Sequence, residues 1–342
     1  MPKAVTFGEI MLRLSPPGFE RLLQSPLLQA TFGGGEANVA VSLAQFGIES
    51  WYVTRLPPHA LGDAVIRALR AEGVRTDAIL RGGTRLGVYF TEMGASQRPS
   101  TVIYDRADSA IADLAPGQVD WPRVFGGAHW FHVTGITPAL GSRAAECTQE
   151  AISAARAARL RISIDLNFRR KLWTEAQAQS VMRPLVRDVD LVIANEEDLQ
   201  ACLGVRVPGA DVTSGALDLE GYRSAARTVA SEFGVRMVAI TLRESRSASD
   251  NGWSAVLWDQ PSKVFHRSQH FEVRLVDRIG GGDSFAAGLI YGLLTERPTD
   301  AALRFGVAAS ALKQTIPGDF NRVSIEEVDR LAGGDASGRV QR

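Results

Sequence analysis

Apolar positions along this chain follow two rhythms that alternate from one end to the other. Short runs rich in β-branched and aromatic residues, at 5–7, 51–54, 130–133, 162–166, 191–194 and 238–242, predict strands. Between them, residues 38–46, 61–72, 142–159, 220–233 and 283–294 carry apolar side chains at three- and four-residue spacing and predict helices. Strand–helix alternation of this kind predicts an α/β fold with a mainly parallel sheet and helices on both faces. Two segments break the rhythm. Residues 85–93 and 101–106 alternate like antiparallel strands around a turn from Gly94 to Pro99, which predicts a small separate sheet; Leu12 and Leu14 extend the first strand toward it. Residues 333–342 are small and polar and read as a frayed tail.

A length of 342 residues suits one large α/β domain with an appendage better than two equal domains. Thirty-eight basic and thirty-eight acidic residues cancel, so no net charge draws the protein to nucleic acid or to an anionic membrane, and a small-molecule ligand is expected. Cys147 and Cys202 lie far apart in helix-like segments and read as reduced structural thiols of a cytoplasmic protein. The first residues run directly into a strand, and no stretch of about 18 apolar residues occurs, so neither export nor membrane insertion is expected. His129 and His132, three apart on a strand, face opposite sides and read as core residues rather than metal ligands.

Candidate chemistry centres on two glycine clusters, each heading a predicted helix. Gly280, Gly281 and Gly282 run into Asp283; backbone N–H groups at such a helix start, aided by the helix dipole, suit an anion such as phosphate. Asp283 then stands where it can take a proton from a substrate hydroxyl. Locally, the same residues would also build a glycine turn with an Asp cap. Gly33, Gly34 and Gly35 precede Asn38, where bare backbone admits a polar ligand and the amide can both donate and accept; a tight turn with an Asn cap would look similar. Neither cluster is a GxGxxG after the first strand, and no GxxxxGK[ST] occurs, so dinucleotide and P-loop chemistry recede.

On these two motifs, in this order and spacing, the chain resembles the PfkB/ribokinase-like sugar kinases over residues 4–331. The resemblance implies a ribokinase-like three-layer α/β/α core with a mainly parallel sheet and a small β-sheet lid. It implies one domain over 1–331, with lid pieces at about 9–36 and 84–106 and a flexible tail at 332–342. Gly280, Gly281 and Gly282 become the anion hole and Asp283 the catalytic base, with Gly281 standing where the family usually has Ala; Gly34, Gly35 and Asn38 become sugar contacts. The strings at 131–140 and 164–169 resemble those of 2-keto-3-deoxygluconate kinases. An acidic sugar calls for a guanidinium at its carboxylate. By this likeness Tyr89, Tyr104, Arg106 and Arg169 line the substrate pocket and Asp319 closes it, although strand packing, solvated charge and a Pro-Gly-Asp turn account for the same residues individually.

The nucleotide side is less regular. Asn195, Glu196, Glu197 and Asp198 resemble a family motif that organises Mg²⁺ through water, with Asp198 in place of Glu; an acidic helix start is the plain alternative. Where relatives carry a glycine-containing loop against ATP, this chain has residues 242–249, of which Arg243 and Ser245, with Asn195 and Gly282, are the candidate ATP contacts. Asp277 matches a position that in some relatives helps hold a monovalent cation, and turn stabilisation explains it equally. The implied reaction is ATP-dependent phosphorylation of O6 of 2-keto-3-deoxygluconate. A neutral ketose such as fructose, or a regulator that binds without reacting, are the alternatives. Pairing through the lids into a homo-oligomer, a dimer or higher, is also expected.

Overall fold

The computed structural model describes residues 1–208 and 218–338. The chain opens with β1 (Lys3–Phe7), continues through β2 (Met11–Ser15) and β3 (Gln29–Gly33), and returns by α1 (Gly35–Gln45) to β4 (Glu49–Leu56). Next come α2 (Ala60–Ala71), β5 (Ile79–Arg81), β6 (Val88–Glu92) and β7 (Thr101–Asp105). Alternating units follow: α3 (Trp121–Phe125), β8 (Trp130–Thr134), α4 (Ser142–Ala157), β9 (Arg161–Asp165), α5 (Glu175–Val186), β10 (Leu191–Ala194), α6 (Glu196–Asp198) and α7 (Leu219–Phe233). The last third holds β11 (Met237–Ser245), β12 (Asp250–Asp259), β13 (Val264–Arg267), β14 (Phe271–Arg274), α8 (Gly281–Leu294), α9 (Thr299–Lys313) and α10 (Ile325–Ala332).

The main sheet runs β13-β12-β11-β10-β9-β8-β1-β4-β5, with β14 also on β12. From β11 to β5 every pairing is parallel, while β12 joins β11, β13 and β14 antiparallel. Successive side chains of the central strands feed two different cores, as a strand covered on both faces must. Phe131 packs among Cys147 and Ile152 of α4 and Met182 of α5, whereas Trp130 packs among Leu43 of α1, Phe285 of α8 and Val307 of α9. The expected three-layer α/β/α arrangement is therefore present. A separate sheet, ordered β3-β2-β6-β7, carries the expected antiparallel pair β6 and β7.

Three boundaries differ from expectation. Leu12 and Leu14 do not prolong the first strand; they lie on β2 of the small sheet, after β1 has ended at Phe7. The helix expected from Asp283 begins at Gly281, so Asp283 is its third residue and Gly280 its cap. The expected tail starts with Ala332 still inside α10, and its residues 339–342 lie outside the described residues. Of the elements that periodicity missed, β12 and α9 are buried nearly all round, which removes the polar face that a period needs in order to show. Among the described residues no helix is long and apolar enough to cross a membrane, and both cysteines are buried free thiols.

Candidate active site

The carboxyl ends of the parallel strands, where open α/β sheets bind ligands, open into a cleft of about 420 Å³. Glu9 follows β1, Asp165 ends β9 and Asn195 follows β10; the starts of α1 and α8 close the floor, and Tyr89 and Tyr104 of the small sheet line the wall. Both glycine clusters reach this cleft. Gly280 has φ of 81° and a Cβ there would lie 2.2 Å from the Asp319 carbonyl oxygen, so only glycine fits. Gly34 passes so close to β1's exit that a Cβ would lie 2.0 Å from the Glu9 carbonyl oxygen.

The two motifs meet through a single hydrogen bond: the Asn38 amide donates to Asp283 Oδ2 at 2.7 Å while its own oxygen accepts from the Gly34 N–H at 3.3 Å. Asn38, expected at the sugar hydroxyls, thus has one amide N–H and one oxygen lone pair engaged by the protein. Burial pushes the Asp283 carboxyl up to about 6; the Asn38 amide pulls it down, nearby Asp319 pushes it up, and Arg169 and Lys313 pull it down. At the head of α8, Gly281 donates to the Arg278 carbonyl at 3.3 Å and Ser284 makes the first helical bond to Gly280. Among the described residues the N–H groups of Gly280, Gly282 and Asp283 take no partner, so of the expected set Gly280 and Gly282 are free, Gly281 is engaged, and Asp283 adds a further donor.

The two arginines expected to meet a carboxylate differ. Arg106 is buried against Glu9, with its Nη2 donating to Glu9 Oε2 and its guanidinium 5.4 Å from the Tyr104 ring centre. Arg169, which follows β9, lines the cleft, hydrogen-bonds only the Phe168 carbonyl, and forms no ion pair among the described residues. Tyr89 and Tyr104 pair across β6 and β7 with ring centres 5.9 Å apart. The Tyr89 hydroxyl donates to Asp319 Oδ2 at 2.6 Å, and Arg13 Nη1 reaches Asp319 Oδ1 at 2.6 Å. Asp319 is therefore already engaged, joining the small sheet to the floor beside Gly33.

On the other side, Arg243 at the end of β11 and Arg278 line the cleft without ion pairs among the described residues; burial, and then the neighbouring Arg243, hold Arg278 below the ordinary arginine range. Asn195 and Asp198 cap α6 reciprocally, with Asn195 Oδ1 accepting from the Asp198 N–H at 2.8 Å and Asp198 Oδ2 from the Asn195 N–H at 3.2 Å. Asp198 Oδ1 accepts from Phe168 N at 2.8 Å, and burial pushes its carboxyl up to about 6 despite Arg169 and these bonds. Asp198 thus caps a helix start, as its alternative reading expected, but from a buried position rather than a solvated one. Ser245 does not line the cleft: it is the exposed last residue of β11, paired in register with Asn251. The Asp277 carboxylate is held by Arg13 at 2.7 Å and by the N–H groups of Ile279 and Gly318.

Glu9, Arg13, Glu36, Asp165 and Lys313 were not singled out from sequence. Glu9 and Asp165 stand where an apolar strand ends, Glu36 and Lys313 lie in mostly buried helices, and Arg13 sits between two leucines of β2. Glu36 accepts from the Thr134 N–H and from the hydroxyls of Thr134 and Thr137, and burial pushes it up to about 7 despite them. Asp165 is raised well above the usual carboxylate range by burial and by nearby Asp198 and Asp283.

Comparison with known proteins agrees with this geometry. The model of the pfkB family carbohydrate kinases matches residues 1–323. A curated 2-dehydro-3-deoxygalactonokinase of Haloferax volcanii is 35% identical over 97% of both chains. A 2-dehydro-3-deoxygluconokinase of Bacillus subtilis is 27% identical over 95% of this chain and 93% of its own. The crystal structure of a 2-dehydro-3-deoxygluconokinase of Thermotoga maritima, 48% identical, superposes with a TM-score of 0.94 over 98% of this chain and 100% of its own. A match over nearly the whole length, on a fold whose two glycine motifs converge on one carboxylate, means that this chain belongs to the pfkB family of carbohydrate kinases.

Proposed function

We propose that the protein transfers the γ-phosphoryl group of ATP to the 6-hydroxyl of 2-keto-3-deoxygluconate. The observation that carries this reading is Asp283, held by Asn38 at 2.7 Å beside helix-start N–H groups that take no partner among the described residues, in a cleft where the Arg169 guanidinium forms no ion pair among them. Above about pH 6 Asp283 is ionised and takes the hydroxyl proton as the oxygen attacks. The N–H groups of Gly282 and Asp283 stabilise charge on the transferring group. Arg169 pairs with the sugar carboxylate, and Arg106, neutralised by Glu9, shapes the wall with Tyr104. Arg243 and Arg278 face the nucleotide phosphates.

Among the described residues no cluster of His, Cys, Asp and Glu is arranged to hold a metal ion by itself. A Mg²⁺ that arrives with the nucleotide phosphates and keeps most of its waters suits that lining, with Asn195, Glu196, Glu197 and Asp198 reaching it through water. Its contribution is to neutralise charge between the phosphates. In the same reading residues 1–331 act as one domain in the cytoplasm, the small sheet closes as a lid that excludes water, and copies associate through it.

A coupled kinase assay over 2-keto-3-deoxygluconate, its galactonate epimer and fructose tests the proposal. Asp283→Asn is expected to lower transfer by about 10²-fold or more with substrate binding kept. Arg169→Ala is expected to depress turnover of the acids alone. Fructose turning over as well as the acids, with Arg169→Ala leaving both unchanged, would point to a neutral ketose; ligand binding without single-turnover ATP consumption would point to a regulator.

A further inference from the structure

Lys313, the last residue of α9, is fully buried. Its ammonium meets no carboxylate in an ion pair among the described residues; Nζ donates to two backbone carbonyls, Asp277 O at 3.2 Å and Ile279 O. A charge buried in this way is costly unless it is tightly hydrogen-bonded. Burial pulls the Lys313 ammonium below the ordinary lysine range while Asp277 and Asp319 push it back up. The two carbonyls belong to the turn that immediately precedes Gly280, and a Cβ on Gly280 would lie 3.2 Å from Lys313 Cε. The adjacent end of α9 grips the same turn, because the N–H groups of Val276 and Asp277 both donate to the Gln314 carbonyl, at 2.9 and 3.1 Å. Inside the turn, Asp277 Oδ1 accepts from Ile279 N at 3.1 Å. Two carbonyls converging on one positive centre form a cation seat, which the chain fills with its own side chain.

We propose that Lys313 is a positioning residue for phosphoryl transfer: its ammonium is a built-in cation that clamps residues 277–279 and so aims the N–H groups of Gly282 and Asp283, with no free monovalent ion required there. This rests on the reading of that helix start as the phosphoryl site. Removing the ammonium leaves two buried carbonyls facing an empty seat, into which the turn relaxes, and a misplacement on the scale of an ångström at a transfer site costs about 10²-fold in rate.

Steady-state kinetics of the full-length protein, Lys313→Met, Lys313→Ala and Asp283→Asn, each in tetramethylammonium buffer with and without added potassium or ammonium chloride, test it. The unsubstituted protein is expected to show the same kcat in every buffer. Lys313→Met is expected to lose about 10²-fold in kcat with KM for the sugar nearly unchanged. Lys313→Ala is expected to lose as much and to regain activity with ammonium or potassium but not with tetramethylammonium, a response that simple loss of packing would not show. A potassium requirement in the unsubstituted protein overturns the proposal whether or not the variants fold. So does a folded Lys313→Met with unchanged kcat, or a folded Lys313→Ala that small cations leave inactive. If Asp283→Asn keeps full transfer, the phosphoryl-site reading itself falls; if Asp283→Asn is inactive while Lys313→Met is not, only the role of Lys313 falls.

Discussion

Asn38 and Asp283 stand 245 positions apart and share one hydrogen bond. Because that bond favours the charged carboxylate, its loss raises a pKa that burial has already moved up to about 6. In the proposed reading the base form is the working form, so activity is expected to fall as pH drops through this value, with the acid limb of kcat/KM near pH 6. In Asn38→Ala the limb moves to higher pH, so the variant loses most below neutrality and recovers toward pH 8. A pH–rate profile with an unmoved acid limb would separate Asn38 from the base.

At the scale of elements, the small sheet is bolted to the main one by a few buried polar contacts. Arg13 of β2 bridges Asp277 and Asp319 at 2.7 and 2.6 Å with side chains 3–4% exposed, and Tyr89 of β6 shares Asp319. Breaking a buried pair by removing one partner leaves uncompensated charge, typically at a cost of about 3–5 kcal/mol. Arg13→Met is therefore expected to lower unfolding stability by about that amount in urea titration. A loss below about 1 kcal/mol would assign the triad to a well-solvated edge. The outer contacts are looser: Ala248 N donates to Ser96 O at 2.8 Å and Lys171 Nζ to Val102 O at 3.2 Å, both near the surface.

For the molecule as a whole, the small sheet leaves its edge strand β7 largely open, with Ile103 half exposed, and the loop between β2 and β3 presents Phe19, Leu23 and Leu27. An exposed edge with apolar side chains invites pairing. In the proposed lid-to-lid oligomer, Ile103→Lys is expected to shift sedimentation to the monomer while the fold remains intact. Unsubstituted protein that already sediments as a monomer would remove that part of the reading.

Much of this protein was legible in its sequence. Alternating short apolar runs and amphipathic helices specify a parallel sheet covered on both faces because hydrophobic burial is a local, additive demand on each element. Glycine clusters at Gly34 and Gly280 were readable for a similar reason, since close backbone approach excludes any side chain. What only the tertiary structure decided is how charges pair, because pairing depends on through-space neighbours. It gave Arg106 to Glu9 and left Arg169 without an ion pair among the described residues, joined Asn38 to Asp283, left Ser245 outside the cleft, and set a lysine ammonium beneath the turn before Gly280. A single sequence position carries a charge but not its partner, and the strength of an electrostatic contact is set by distance and burial, which the chain acquires only on folding.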